Sequence, residues 1–373
     1  MDYREGGRSM GRVLTVTVQL DTPLLQGGPT HLLEGGGAKG WTLDDQLRES
    51  QVKGLLHTFA RALLLPLLEG DFTNAKHAER LLLGAPSGMK WKRNGQEEEY
   101  GKVVFIETSG PNKPEKQKYP NRPGGNKSSR QGLKPDQTCT ITFHLMPWVP
   151  EPETHLKALW AVLWTGLCFG GIGIRSRRGY GGLTPIAAGP EETDTDNHEA
   201  LSLFESPPVG KQSLAVQLTQ GFSMAQKWVH AWVQCQPGNG LTLAHSPSLS
   251  DDPFQMAGIG QLFIGEPKHG ADKPWEAVMK PFMDASSQEL RNATTQHKEI
   301  IGAAGPRLAS PVWLRIFKTN RGYVPVITLG ANKTFTQDNG QKEPKAIVQA
   351  LLTLVDAKPI EEVLKKASAG GAP

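Results

Sequence analysis

Residues 170–182 read GGIGIRSRRGYGG, and this glycine-rich loop decides how the rest of the sequence is interpreted. Six glycines surround a polar set formed by Arg175, Ser176, Arg177 and Arg178. Glycine lets a backbone approach a ligand closely and adopt positive φ angles. Guanidinium groups match the geometry of phosphate oxygens. The loop is therefore predicted to hold the phosphates of a nucleic acid.

A nucleotide-binding P-loop is excluded by two features of this stretch. It has no Gly-Lys-Ser/Thr ending, and it follows a predicted helix, Pro152 to Cys168, whereas a Walker or Rossmann turn follows a strand. Tyr180 offers an aromatic ring on which a base can stack. The missing P-loop features and the Tyr180 ring together favour a nucleic acid strand over a mononucleotide as the ligand.

The segments before and after the loop follow the order of a split βαβ domain. Alternating apolar and polar residues, as in VLTVTVQL, indicate half-buried strands, and apolar residues at helical spacing indicate helices. The predicted elements are strand Val13 to Leu20, helix Leu47 to Leu68, helix Asn74 to Leu83, strand Val103 to Glu107, strand Thr138 to Leu145, the helix and loop already named, and strand Leu183 to Ala187.

Residues 87–135 differ in composition from their surroundings. They contain eleven lysines and arginines against five glutamates, with many Pro, Gly, Asn and Ser residues. Apart from the strand at Val103 to Glu107, we interpret this segment as a long basic insertion that projects from the first domain.

The second half has fewer clear signals. The predicted elements are strand Ser213 to Leu218, helix Met224 to Cys235, helix Trp275 to Met283, a strand pair at Val312 to Lys318 and Tyr323 to Leu329, and a C-terminal helix from about Glu343 to Lys366. This content predicts an α+β fold with domains at residues 1–190 and 211–373.

The composition of the chain excludes several classes of protein. The 373 residues carry a formal charge of +4, which does not by itself imply a polyanionic partner. The cysteines, Cys139, Cys168 and Cys235, form no CxxC pair, so neither a disulfide framework nor a zinc site is expected. A polar N-terminus and short apolar runs predict a cytoplasmic protein with no membrane partner.

Other polar residues extend the candidate site. On the first predicted helix, Lys53, His57 and Arg61 share one face at a spacing of four residues. Arg307 and Ser310 precede the strand pair of the second half, where they can bind a phosphate or fix a turn. No cofactor or metal site is expected, because no second ligand stands at suitable spacing from His57.

Asp44 and Asp45 stand just before the first predicted helix. Aspartate at this place most often caps a helix by accepting backbone N–H bonds. The alternative is that one of them positions a metal ion or water for RNA cleavage.

Four segments together resemble the RAMP superfamily of CRISPR proteins, nearest to the subunit-one family of the type III-B Cmr effector complex. They are Thr22 to Leu63, ERLLLG at Glu79 to Gly84, GGIGIRSRRGYGGL at Gly170 to Leu183, and GPRLASPVWLRI…YVPVITL at Gly305 to Leu329. Two short motifs are the more specific to the subunit-one family. They are Arg48, Ser50, Lys53 and Gly54 in the first half, and Arg307, Ser310 and Pro311 in the second. The first predicted helix departs from the family pattern in one respect. Relatives usually carry several aromatic residues before the Arg-Ala pair, whereas this sequence, HTFARAL, has only Phe59 there.

The resemblance implies two ferredoxin-like (RRM-like) domains and a place in a ribonucleoprotein near the 3′ part of the guide RNA. We therefore expect a non-catalytic subunit that contacts guide RNA, the complementary target RNA, or both, beside other RAMP subunits. The binding residues would be Lys53, Arg61, Arg175, Ser176, Arg177, Arg178, Tyr180, Arg307 and Ser310. Two alternatives remain open: a metal-dependent endoribonuclease using Asp44 or Asp45, with His31 or His57, and a purely architectural subunit.

Overall fold

A computed structural model describes the chain over most of its predicted elements. The described residues are 12–25, 47–68, 71–93, 96–111, 113–120, 129–173, 176–177, 179–189, 208–236, 241, 259–269, 275–281, 312–330, 349 and 351–369.

Strands and helices alternate along this part of the chain. The strands are β1 (Val13–Leu20), β2 (Leu24–Leu25), β3 (Lys90–Arg93), β4 (Gln96–Glu99), β5 (Val104–Ser109), β6 (Lys116–Pro120), β7 (Ser129–Leu133), β8 (Thr138–Leu145), β9 (Leu183–Gly189), β10 (Ile259–Ile264), β11 (Val312–Thr319), β12 (Gly322–Gly330) and β13 (Lys358–Pro359). The helices are α1 (Glu49–Leu67), α2 (Phe72–Leu83), α3 (Pro152–Phe169), α4 (Lys211–Gln234) and α5 (Ile360–Ala369). Residues 275–281 and 351–354 are also helical. Among the described residues, no helix combines the length and apolar content needed to span a bilayer.

The first sheet has the strand order β5-β8-β1-β9, and its neighbouring strands are antiparallel. In β1 every second residue is buried, so Val16, Val18 and Leu20 face the core while the residues between them are half exposed. A one-residue slip would exchange these two faces, which fixes the register. The core side is covered by helices, with Val52, Leu56 and other apolar residues of α1 in the same cluster.

The second sheet repeats this arrangement. Its strands lie in the spatial order β11-β12-β10-β13, so β11 and β13 are the edge strands. Along the chain, β11 is the second and β13 the fourth strand of this sheet. The first sheet likewise has its second strand, β5, at one edge and its fourth, β9, at the other. The helical residues 275–281 and 351–354 lie in the chain between β10 and β11 and between β12 and β13. The mixed α/β content with antiparallel sheets agrees with the prediction.

The basic segment 87–135 contains more strands than the one predicted at Val103 to Glu107, while its role as a projecting insertion stays a prediction. Val104–Ser109 is the edge strand β5 of the first sheet, where Val104 pairs with Leu145. The parts on either side of it form strands that the Pro- and Gly-rich composition concealed. β3 pairs with β4, and β6 pairs with β7.

A small sheet of order β2-β7-β6 lies between two hydrophobic clusters. Leu24 pairs with Leu133, and both belong to the larger cluster, which contains β1 and the helices. The neighbouring Leu25 belongs to the second cluster together with Tyr119, whose ring packs edge-on against Trp275. The strands β2 and β6 thus contribute residues to the contact between the two clusters.

The strand predicted at Ser213 to Leu218 is wrong, because these residues begin α4. Leu214, Leu218, Gly221 and Ala225 are all buried at a spacing of three or four residues. In this short window the alternation of Leu214, Val216 and Leu218 resembles a strand, but the buried positions continue with the helical period to Trp232.

The single C-terminal helix predicted from Glu343 to Lys366 is also wrong. The helical residues 351–354 end in a turn at Asp356, which has a positive φ of 49°. Lys358 and Pro359 then pair with β10 as strand β13 before α5 begins. Proline cannot continue a helix because it lacks an N–H donor and clashes with the preceding turn.

His155 fixes α3 to both neighbouring helices. Its Nε2 lies 2.8 Å from the Leu82 carbonyl oxygen of α2, and the Trp232 indole of α4 donates to its Nδ1 at 3.1 Å. The imidazole is therefore neutral, with its proton on Nε2. Burial lowers the pKa of His155 from 6.5 to about 4.

This buried histidine predicts a loss of stability in mild acid. Because the folded pKa of about 4 lies below the unfolded pKa of 6.5, the unfolded state binds more protons between these values. The free energy of unfolding should fall as the pH drops from 6.5 towards 4, by about 2 kcal/mol at pH 5. Urea unfolding at several pH values should show that His155→Gln flattens this dependence. His144→Gln, at a half-exposed position, serves as the control, and an equal flattening by both variants would contradict the assignment.

Candidate RNA-binding cleft

A cleft of about 370 Å³ separates the N-terminal half of α1 from the glycine-rich loop. On the α1 side it is lined by Gln51, Gly54, Leu55, Thr58 and Phe59. These residues recur at a spacing of three or four and form one helix face. The N-cap of α1 is Arg48, whose side chain makes no capping hydrogen bond, and the capping role predicted for Asp44 or Asp45 falls outside the described residues.

The other wall is the glycine-rich loop, which is closed by backbone hydrogen bonds. Ile172 N–H donates to Gly181 O at 2.9 Å, and Gly181 N–H donates to Pro23 O at 2.9 Å. Gly181 has a φ of +63°, and a Cβ placed there would lie 1.7 Å from the Ile172 carbonyl oxygen. Only glycine fits this crossing of two backbone segments, so part of the glycine content serves the fold itself.

The floor of the cleft comes from the second half of the chain. Trp313 of β11 lines it and packs against Phe59 of α1, with ring centroids 5.8 Å apart. The Arg177 guanidinium lies 4.7 Å above the Trp313 ring, within the range of a cation–π contact. The Leu314 N–H also donates to the Arg177 carbonyl oxygen at 3.0 Å, so β11 holds both the backbone and the side chain of this arginine.

Arg177 presents a fixed positive charge to the cleft. It is half-buried, and burial lowers its pKa to about 10. It therefore remains protonated at neutral pH. A guanidinium already ordered on an aromatic ring loses less side-chain freedom when it binds a phosphate than a freely moving one.

Below the loop, Arg315 of β11 reaches into the first half. Its Nη2 donates to Asp21 Oδ2 at 2.6 Å and lies 3.0 Å from the Thr184 hydroxyl, and its Nε donates to Leu167 O at 3.0 Å. A Cβ on Gly182 would lie 2.3 Å from Arg315 Nη1, so this glycine leaves the space that the guanidinium fills. Burial raises the pKa of Asp21, while Arg315 and the Thr184 hydroxyl oppose that rise.

Two of the predicted binding residues lie outside the cleft. Lys53 and Arg61 are not among the residues that line it, and their role in binding RNA stays a prediction. Lys53 is exposed and lies 3.5 Å from Glu49. Arg61 Nε lies 2.9 Å from the buried carboxylate of Glu79 on α2, which also contacts His57. The Lys53–Glu49 pair lies within α1, whereas the contacts of Glu79 tie α1 to α2.

Tyr180 is buried rather than presented to a base. Its ring is 1 % exposed and lies in the second hydrophobic cluster, with its centroid 6.4 Å from that of Trp275. The stacking role predicted for Tyr180 is therefore wrong in this structure. Ser176 and Arg177, in contrast, both line the cleft as expected.

Several predicted residues lie outside the described part of the chain. They are Arg175, Arg178, Arg307, Ser310, Asp44, Asp45 and His31. Their proposed roles stay predictions. Within the described ranges, no group of three His, Cys, Asp or Glu side chains is arranged to hold a metal ion.

The sequence pattern missed the contribution of β11. Trp313, Arg315 and Phe317 alternate on one side of a strand whose other residues are almost all apolar. An arginine in such a strand signals a buried partner, because isolated charges are rarely buried. The identity of that partner, Asp21, depends on a contact across almost 300 residues that spacing does not reveal.

Comparison with known proteins finds a family that the first half of the chain resembles. The family model of the RAMP superfamily matches residues 17–184, which include the α1 wall and the complete glycine-rich loop. The match spans somewhat less than half of the 373 residues. The matched region is similar to the RAMP superfamily over the part of the chain where the resemblance predicted it.

Solved structures extend the similarity to nearly the whole chain. Cmr1 from Pyrococcus furiosus, in its apo form, superposes with a TM-score of 0.56 and 14 % identity, covering 93 % of this chain and 98 % of that one. A chain of the type III-B Cmr-β complex bound to cognate target RNA gives a TM-score of 0.58 and 12 % identity, covering 92 % and 100 %. At such identities the likeness concerns the fold. No curated protein sequence matches this chain.

The Asp21–Arg315 pair predicts a large destabilisation when either partner is removed. Asp21→Asn or Arg315→Met leaves the other charge buried without its partner, which should cost about 3–5 kcal/mol in the free energy of unfolding. The double variant should lose less than the sum of the single losses. Chemical denaturation of all three variants measures this coupling.

The matched control is Lys318→Met. Lys318 forms an ion pair with Asp136 that also joins β11 to the first half, but both side chains are about half exposed. Its loss should cost no more than about 1 kcal/mol. Equal effects of Lys318→Met and Arg315→Met would contradict the special role of the buried pair.

Proposed function

We propose that this chain is a non-catalytic RNA-binding subunit of a type III CRISPR ribonucleoprotein, contacting guide RNA, target RNA or both. The observation that carries the proposal is the cleft, in which Arg177 is held on Trp313 opposite the face of α1 that contains Gln51, Gly54 and Thr58. RNA strands are commonly bound through phosphate contacts and through grooves that admit unstacked nucleotides. The fold likeness to a chain of a complex bound to cognate target RNA supports this function.

The proposal includes two ferredoxin-like domains, one in each half of the chain. Its support is the common position of the second and fourth strands at the edges of both four-stranded sheets. The domain boundaries at residues 190 and 211 stay a prediction. Helix α4 packs in the larger hydrophobic cluster, because its Trp232 and Val229 lie there together with residues of α3.

The partners we propose are the RNA strands and the neighbouring subunits of a Cmr-type complex. Ser176 and Arg177 are the described residues that we assign to RNA, and Arg175, Arg178, Arg307 and Ser310 extend this assignment to the undescribed parts of the chain. No cofactor enters the proposal.

Arg177→Ala should weaken binding of single-stranded RNA and reduce its dependence on salt. Each phosphate contact on a single strand contributes roughly 0.7 to the slope of log affinity against log salt. Loss of Arg177 should lower the slope by about that amount. Fluorescence anisotropy over a series of salt concentrations measures both quantities.

Lys227→Ala, at an exposed position on α4 away from the cleft, is the charge-matched control. It should leave the slope unchanged. If Arg177→Ala behaves like this control, and no RNA crosslinks to the chain in the assembled complex, the architectural alternative would replace RNA binding.

A non-catalytic role predicts that target RNA cleavage survives the loss of both candidate aspartates. In an assembled complex, Asp44→Ala and Asp45→Ala should leave the cleavage rate in Mg²⁺ unchanged, because catalysis would reside in other subunits. Cleavage assays with a labelled target measure this. A rate that collapses with either variant, while the complex still assembles, would favour the endoribonuclease instead.

A further inference from the structure

The packing of the described residues does not require glycine at position 54. Gly54 is an exposed residue in the interior of α1, five residues after the first residue of the helix, and it lines the cleft. Apart from proline, glycine is the least favourable residue in a helix interior. A Cβ placed on Gly54 meets no described atom within 4 Å. An alanine would fit, and the helix would gain from it.

Other helical glycines differ from Gly54 in this respect. A Cβ on Gly221 of α4 would lie 2.1 Å from the Trp164 ring, and a Cβ on Gly166 of α3 would lie 2.7 Å from Leu55. At these positions close helix packing requires glycine. The space above Gly54 is instead the open cleft.

A second feature of the same wall points to a missing partner. Gln51 lies one turn before Gly54, and its Oε1 is buried without a hydrogen-bond partner among the described residues. An acceptor left in this state costs free energy unless a donor reaches it. On adjacent turns of α1, the described residues thus leave an acceptor without a donor at Gln51 and open space at Gly54.

We propose that an RNA strand passes directly over Gly54, between α1 and Arg177, and that Gly54 sets how closely it approaches. This inference rests on the proposed function and adds the contact that determines the width of the groove. The missing side chain lets a nucleotide contact the helix backbone, as glycine does where a ligand approaches a chain closely. Arg177 holds a phosphate at the opposite wall, and a small rearrangement of Gln51 lets it accept a hydrogen bond from the RNA.

The test uses opposite effects on stability and binding in the full-length protein. Gly54→Ala should raise the Tm by about 2 °C, because alanine favours the helix. The same variant should lower the affinity for single-stranded RNA several-fold. Gly54→Leu, which fills more of the groove, should lower the affinity roughly tenfold or more. Thermal unfolding and fluorescence anisotropy measure the two effects.

Gly221→Ala is the control for a glycine that packing does require. Its clash with Trp164 should lower the Tm while leaving the affinity of the folded protein unchanged. The inference is overturned if both Gly54 variants bind RNA like the wild type, or if Gly54→Ala lowers the Tm. In either case a loss caused by Arg177→Ala would still support the proposed function. If Arg177→Ala has no effect either, both proposals fail.

Discussion

The buried contact between Asp21 and Arg315 joins the two halves of the molecule, and the shape of the cleft depends on it. Asp21 stands immediately after β1, and Arg315 lies in the edge strand of the other sheet. The same guanidinium also donates to Leu167 O at the end of α3. One side chain therefore sets β11 against the helix and the strand that flank the glycine-rich loop.

The placement of Arg177 follows from this arrangement. Trp313 lies two residues before Arg315 on β11, and Leu314 between them binds the Arg177 carbonyl. A buried ion pair is an expensive way to gain stability, because both charges lose their hydration. Its effect here is on geometry, since a small shift of β11 would move the ring on which the Arg177 guanidinium rests. We infer that the second half contributes to the RNA site by ordering the loop of the first.

The sequence predicted those elements whose signals are local. β1 and β8 have the bounds that alternation indicated, and α3 and the β11–β12 pair deviate from their predicted bounds by one residue at most at each end. Two kinds of element were mispredicted. At Leu214 to Leu218, a few helical residues happen to alternate like a strand, and around Tyr119 a proline-rich composition hid a strand. The chemistry of the loop was recognised from its composition, but the burial of Tyr180 and the role of Trp313 depend on contacts between distant segments. Such contacts leave no periodic signal in one sequence.

The small sheet between the two clusters has a consequence for how the chain must fold. Adjacent residues on β2 serve different cores, with Leu24 in one and Leu25 in the other. Both cores therefore fix the register of β2 against β7. A shift by one residue would move the side chains of Leu24 and Leu25 out of their respective clusters at the same time. We expect the two cores to form together, so that the two halves of the chain fold as a single cooperative unit.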